Sequence, residues 1–240
     1  MDFEAWLKKN EPLIDWSLFF RQEQIEAIVH SSRVLQKESP VVLDLGCGRG
    51  ILGKLLTDQK PTTQYFGVDG DPLMLSSMKH LLSGRNITAL QHNLRKAEWS
   101  QQFRGHFDSV ISLTALHWLS QEHQNEIYKS AYKVLKPGGT FSVGDPYKPE
   151  DPQERKELEE YSATQSGQTW EEFWQNFFDK YSMKEMYTEY HAKKGYQIPF
   201  EGSDEGYTLS SHLKALKGAG FSDVSVFWKA DLRAVYGGTK

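Results

Sequence analysis

Val41-Val42-Leu43-Asp44-Leu45-Gly46-Cys47-Gly48-Arg49-Gly50, followed at once by Ile51-Leu52-Gly53-Lys54-Leu55-Leu56, decides the fold. An apolar run breaks into three glycines on a spacing of two, and a helical pattern takes over. This reads as a buried strand, a tight turn and the opening of a helix. Gly46, Gly48 and Gly50 can take positive φ and carry no Cβ. A ligand can therefore lie against bare backbone, over the N–H groups that open the helix. Such a loop at the carboxyl end of the first strand is where open α/β sheets bind nucleotide-like ligands.

The chain downstream repeats the strand–helix alternation. Tyr65-Phe66-Gly67-Val68-Asp69 reads as a second strand ending in an acid, placed where a carboxylate accepts from a ribose diol. Asp71 before Pro72 is a helix cap, because proline favours the first helical position. Ile87-Thr88-Ala89-Leu90-Gln91 is a third strand, followed by His92-Asn93-Leu94, and Phe107 to Ser112 is a fourth. Leu113-Thr114-Ala115-Leu116-His117-Trp118-Leu119 then crosses the mouth of the site. Gln121 to Lys136 is an amphipathic helix, which Leu135-Lys136-Pro137-Gly138-Gly139 ends with a proline stop and a glycine cap. Thr140 to Gly144 is the fifth strand. Thr208 to Gly218 is a helix, and Val224–Trp228 with Arg233–Tyr236 form a closing hairpin.

Two ligands compete for the glycine loop. Gly48-x-Gly50-x-x-Gly53 satisfies the dinucleotide fingerprint, a weak signal alone. That fingerprint normally starts right after the strand, and Gly46-x-Gly48 meets Ile51 where its third glycine belongs. Asp44 aims a carboxylate toward the loop, which suits a ligand with a cationic part.

The stretch 41–50 resembles motif I of class I S-adenosylmethionine (SAM) dependent methyltransferases, near (V/I)LDLGCGxG. The order of Asp69, the crossing at 113–119, Leu-Lys-Pro-Gly-Gly and Leu216-x-x-Ala219-Gly220-Phe221-x-x-Val224 strengthens it. The resemblance covers residues 40–145 and 208–240, and sits nearest the small-molecule group. It implies an α/β, Rossmann-like seven-stranded sheet in order 3-2-1-4-5-7-6 with strand 7 antiparallel. SAM is then the cofactor and S-adenosylhomocysteine the product. Cofactor contacts are implied at Asp44, Gly46, Cys47, Gly48, Gly50, Asp69, Gly70, Leu73 (or Met74), Asn93, Leu94 and Leu113, with Ser112 beside the methionine end. Asn93 stands where the family usually has Asp. The crossing resembles motif IV without the Asn/Asp-Pro-Pro-Tyr of nucleic-acid and protein amine enzymes.

In-line methyl transfer from a sulfonium draws on positioning, and a base is required only where the acceptor must lose a proton. His117 is the candidate base, because imidazole exchanges protons near neutrality; its alternative is packing at the next helix. Trp118, Asp145 and Tyr147 face the presumed substrate side. Cys47, in the cofactor loop, is a poor covalent nucleophile, and no acid cluster of the magnesium-binding kind is present. The expected reaction is O- or C-methylation of a small molecule. The alternatives are a non-catalytic SAM or S-adenosylhomocysteine-binding protein, and a carboxy-SAM synthase-like enzyme. The latter needs basic residues such as Arg155, Lys193, Lys194 or Arg233.

Two segments stand outside the resemblance. Residues 1–37 form an apolar-periodic helical arm broken at Pro12, which either adds a layer to the domain or closes over the cofactor. In the second case Trp16, Phe20 and Arg21 are candidates, and an arginine pairs bidentately with the methionine carboxylate. Residues 148–206 form a helical insertion between 38–147 and 207–240. Trp170, Phe173, Trp174, Phe177, Phe178 and Tyr181 fall on one helical stripe, extended by Met183, Met186, Tyr187 and Tyr190. The stripe is either core or a substrate-selecting lid carrying Trp170 and Trp174.

Composition bounds the partners. The 240 residues carry 32 acidic against 28 basic side chains, a net charge of −4, without a dense Lys/Arg block, so the charge offers no case for nucleic acid. Met1-Asp2-Phe3-Glu4-Ala5-Trp6 lacks a signal-peptide layout, and no apolar run approaches the roughly 20 residues of a membrane span. One cysteine excludes an internal disulfide and a cysteine zinc site. The expectation is a cytoplasmic monomer or homodimer without a metal ion.

Overall fold

Val41–Leu45 is buried at all five positions. A strand without alternation needs cover on both faces, and that demand places it in the middle of a sheet. The computed structural model describes residues 21–166, 192 and 207–240. Its strands are β1 (Val41–Leu45), β2 (Gln64–Asp69), β3 (Ile87–Gln91), β4 (Phe107–Leu113), β5 (Leu135–Pro146), β6 (Ser222–Ala230) and β7 (Arg233–Thr239). They form one sheet in the order β3-β2-β1-β4-β5-β7-β6. The first five strands are parallel, and β7 runs antiparallel between β5 and β6. This is the expected order, including the reversed strand.

Its helices are α1 (Arg21–Ser31), α2 (Ile51–Gln59), α3 (Pro72–Leu81), α4 (Gln121–Val134), α5 (Pro152–Ser166) and α6 (Leu209–Ala219). Alternate strand residues point to opposite faces, and each face carries a core. Leu43, Val110, Phe141 and Tyr236 pack with Tyr128 and Leu216 of α4 and α6. Val42, Ile111, Leu113 and Val235 pack with Ile28, Leu52 and Leu56 of α1 and α2. Connections leave β1 and β4 toward opposite edges, so their carboxyl ends flank the switch point where such sheets open a crevice.

The direction of α1 follows from three contacts with β5. Thr140 Oγ1 donates to the Ser32 carbonyl at 2.8 Å, and Ser31 Oγ donates to Ser142 Oγ at 2.9 Å. A Cβ at Gly144 would lie 2.9 Å from Ile28 Cδ1. The helix thus runs antiparallel to β5, and its Arg21 end approaches the carboxyl edge of the sheet. Residues 1–20 of the expected arm, with Trp16 and Phe20, lie outside the described residues, as does the Arg21 side chain. The aromatic stripe with Trp170 and Trp174, and Lys193 and Lys194, also lie outside them; the charged start of the insertion is α5.

One element boundary moves. The helix expected to reach Lys136 and end in a glycine cap stops at Val134, and Leu135 is extended (φ −72°, ψ 143°) as the first residue of β5. Pro137 disfavours a helical Lys136. Leu135 is free to pair with Phe107, and Gly138 turns the chain at φ 72°.

Candidate active site

The glycines of the loop serve different neighbours. A Cβ on Gly46 (φ 70°) would lie 2.4 Å from Ala115 Cβ, and one on Gly50 (φ 82°) 2.5 Å from Met78 Cγ of α3. Gly48 (φ 52°) faces open space among the described residues, with none of them within 4 Å of a built Cβ. Gly53, the last glycine of the competing fingerprint, makes room for the Tyr65 ring, 2.6 Å from a built Cβ. The Tyr65 hydroxyl donates to Asp44 Oδ2 at 2.5 Å, and Asp44 is 2% exposed. Gly53 therefore belongs to the support under Asp44. Tyr65 is a residue that sequence reading missed, visible only as an aromatic in a strand.

Asp69 ends β2 beside Gly48. Its Oδ2 accepts from Gly48 N and its Oδ1 from Asp71 N, both at 2.9 Å. Burial pushes the Asp69 carboxyl up to about 6, against hydrogen bonds from the Asp71, Gly48 and Gly70 backbone that favour its charge. It remains half-buried at the mouth rather than sealed. Asp71 Oδ1 caps α3 by accepting from Leu73 N at 2.8 Å, as its place before Pro72 predicts. Leu73 is fully enclosed, so of the two apolar candidates only Met74 offers surface to a ligand. Asn93 is exposed; its Oδ1 accepts from Arg95 N at 3.0 Å and retains a second lone pair. Leu94 is half-buried beside the glycine loop. Burial, then the nearby Asp69 and Asp44 charges, hold the Cys47 thiol well above its usual range.

The crossing is held from β5. Asp145 is 1% exposed; its Oδ1 accepts from Ala115 N at 2.9 Å and its Oδ2 from His117 N at 3.1 Å. The same Oδ1 lies 3.0 Å from His117 Nδ1. A carboxylate only accepts, so Nδ1 is the protonated nitrogen of this contact, and in the neutral ring Nε2 is the one with the lone pair. The turn needed to present both N–H groups puts Thr114 at φ 51°, which for a β-branched residue costs about 1–3 kcal/mol. Asp145 was expected to touch substrate. Its oxygens instead shape the crossing, because a buried carboxylate must be satisfied internally.

Other expected contacts sort out similarly. The Tyr147 hydroxyl donates to the Asp231 carbonyl at 3.2 Å, and Tyr147 is 3% exposed. Ser112 Oγ donates to Leu45 O at 2.7 Å, tying β4 to β1. Leu113 ends β4 with 6% exposure. Trp118 is half-buried, with its ring 5.7 Å from that of His117. Arg155 pairs with Glu159 and Arg233 with Asp231, so two of the basic candidates for an extra carboxylate face acids of their own. Among the described residues no three His, Cys, Asp or Glu side chains gather into a metal site, and no helix is long and apolar enough to cross a membrane.

A sheet of this order, with backbone bared beside a strand-end acid, is a Rossmann-like methyltransferase fold. The residues fit SAM: open space over Gly48 for the cofactor's body, and Asp69 for its ribose diol. Residues 42–139 match the family model described as a methyltransferase domain. Trans-aconitate 2-methyltransferase of Variovorax paradoxus is 26% identical over 60% of this chain and 54% of its own length. The yeast (Saccharomyces cerevisiae) 18S rRNA (guanine(1575)-N(7))-methyltransferase is 31% identical over 42% of this chain and 38% of its own. Human N-acetylserotonin methyltransferase in complex with SAM superposes with a TM-score of 0.58 at 17% identity, over 94% of this chain and 53% of that one. The chain spans about half the length, or less, of the curated relatives it matches. Residues 42–139 are thus similar to a methyltransferase domain, and the fold is shared with the SAM-bound structure.

Proposed function

We propose that the protein transfers a methyl group from SAM to a small-molecule acceptor, by O- or C-methylation. One observation carries this reading: the crossing with His117 lies directly on the cofactor loop, Ala115 against Gly46. Acceptor chemistry and cofactor are thereby held against each other. SAM supplies an electrophilic methyl group on an already activated leaving group. Asp69 anchors the ribose, Met74, Asn93 and Leu94 border the adenine, and Gly46 and Gly48 border the body of the cofactor. Arg21 is the proposed partner of its carboxylate, at the carboxyl edge to which α1 climbs. His117 is the proposed base, with Asp145 holding its Nδ1 and leaving Nε2 for the acceptor proton. Trp118, and Trp170 and Trp174 of the insertion, are proposed to bound the acceptor.

The net charge of −4, without a dense basic block, supports a small acceptor over RNA. The deciding experiment titrates the protein with SAM and with NADH, then follows radiolabelled methyl transfer to a panel of carboxylates, phenols and activated carbons, with ribosomal RNA as a further arm. Tight NADH binding without SAM binding rejects the cofactor. SAM binding without turnover on any arm points to a sensor, and label in RNA overturns the small-molecule reading.

A further inference from the structure

The crossing has two ends, and Asp145 holds only the incoming one. The outgoing end, at Leu119, is held by side chains from α4, α6 and β7. Gln124 Nε2 donates to Leu119 O at 3.0 Å, which fixes how the amide lies, since a carbonyl only accepts. Its Oε1 accepts from the Tyr128 hydroxyl at 3.4 Å. The Tyr128 oxygen lies 2.8 Å from His212 Nδ1 and 3.3 Å from the Tyr236 hydroxyl.

With Nδ1 of His212 protonated, these groups take one proton arrangement. The Tyr128 proton goes to Gln124, so the Tyr128 oxygen accepts from His212 Nδ1–H and from Tyr236. Among the described residues His212 Nε2 is enclosed without a partner. In this tautomer it presents a bare lone pair instead of a stranded N–H, and buried orphan donors are the rarer defect. Burial depresses His212 to about 4, so the ring is neutral at pH 7. It stacks on Tyr236 at 4.7 Å. Gln124, Tyr128 and Tyr236 are at most 1% exposed and His212 is 4% exposed. A directed chain of hydrogen bonds thus runs His212 to Tyr128 to Gln124 to Leu119, two residues beyond His117.

Four buried polar side chains are an expensive way to fill a core that aliphatic groups could fill. What they add is direction: Leu119 O has one allowed place. We propose that Gln124, Tyr128 and His212 are positioning residues that set the placement of His117 from the outgoing end of the crossing. The proposal rests on the reading of His117 as the base.

The test uses the whole protein, purified with SAM bound, and reads the His117 ring by NMR of ¹³C-labelled histidine alongside steady-state kinetics on an acceptor from the panel. Tyr128→Phe and His212→Leu are expected to move the His117 resonance and lower kcat about tenfold, with the KM for SAM within about twofold of wild type. His212→Asn, whose Nδ2–H takes the place of Nδ1–H, is expected to retain both signals. Variants that fold and bind SAM while leaving the His117 resonance and kcat unmoved overturn the proposal. So does a His212→Asn protein as impaired as His212→Leu. Gln124→Met tests the link closest to the crossing if Tyr128→Phe fails to fold. A wild-type protein that binds SAM but turns over no acceptor overturns the transferase reading alone, and the His117 resonance still decides the link.

Discussion

The two halves of the site are built from different materials. On the β1–β3 side the cofactor loop is backbone: glycine shape, N–H groups of Gly46 and Cys47 bonded to Val68 O, and one acid, Asp69, drawn onto Gly48 N and Asp71 N. On the β4–β5 side the crossing is shaped by side chains reaching across the fold, with Asp145 gripping Ala115 and His117 from 28 to 30 residues away. The glycines that shape the loop lie close together in the chain, even though Ala115 and Met78 crowd them from elsewhere, whereas each clamp joins groups the fold must first assemble. The first half should therefore fail by losing cofactor, and the second by losing turnover with cofactor still bound.

The largest effect that would break this division is expected at Gly46. Gly46→Ala drives a Cβ into Ala115 at φ 70°, an overpacked and conformationally strained site worth about 3 kcal/mol. Thermal unfolding should fall by about 10 °C, and SAM binding should be lost. Gly48→Ala meets open space at φ 52°, so it should cost only about 1 kcal/mol. It nevertheless puts a methyl group where the cofactor rests, and the Kd for SAM should rise by about tenfold or more. Equal destabilisation by the two, measured by differential scanning fluorimetry with and without SAM, would show that Gly48 is not the open cradle.

Next in size is the clamp. Asp145→Asn leaves one acceptor oxygen for three donors and no carboxylate to fix the His117 tautomer. The expected loss is about 100-fold in kcat, with the Kd for SAM changed by less than about threefold. A variant whose SAM affinity falls as far as its kcat would mean that Asp145 supports the cofactor loop rather than the acceptor side.

Asp69 gives a pH signature to the cofactor half alone. Its carboxyl, pushed up to about 6, accepts from a ribose diol only when ionised. SAM affinity should therefore be flat above pH 7 and fall about tenfold per pH unit below 6. Stability moves the other way. A folded pKa above the unfolded one adds stability below the unfolded value, which is lost as pH rises through about 6. The apo protein should thus gain from this group on mild acidification while its stabilisation by SAM shrinks. Calorimetric titration from pH 5 to 8 checks the first effect and thermal melts the second; a pH-independent Kd would remove Asp69 from the ribose.

The same division explains what was legible in the sequence. Periodicity and Gly46 to Gly50 are readable because each is a pattern of consecutive residues, Asp69 is readable as an acid at a strand end, and the sheet order follows from resemblance to a family. Leu135 as strand rather than helix turns on Pro137 restricting the residue before it, a local rule that acts ahead of the glycines. Asp145 and Tyr147 stand at the expected strand end, but strand position says which edge a side chain is near, not which buried groups it will bond: Asp145 accepts from Ala115 and His117, and Tyr147 donates to the Asp231 carbonyl. Tyr65 under Asp44 and the set of Tyr128, His212 and Gln124 had no sequence signal. Their partners lie 21 residues apart in the first case and up to 84 in the second, and only the fold pairs them.

The smallest expected effect sharpens the comparison from the cofactor side. If that half is backbone, a side chain within the loop should be dispensable. Cys47 is the test: its sulfur lies 3.6 Å from Met78 Sδ, buried behind the loop rather than on its ligand face. Cys47→Ala removes one buried sulfur from that contact, a loss of about 1 kcal/mol, while the Kd for SAM and kcat should stay within about twofold of wild type. The native thiol, held well above its usual range by burial and two nearby carboxylates, should resist iodoacetamide at pH 8 until the protein unfolds. Rapid alkylation of the folded protein that SAM blocks would put the sulfur on the ligand side and make the loop more than backbone.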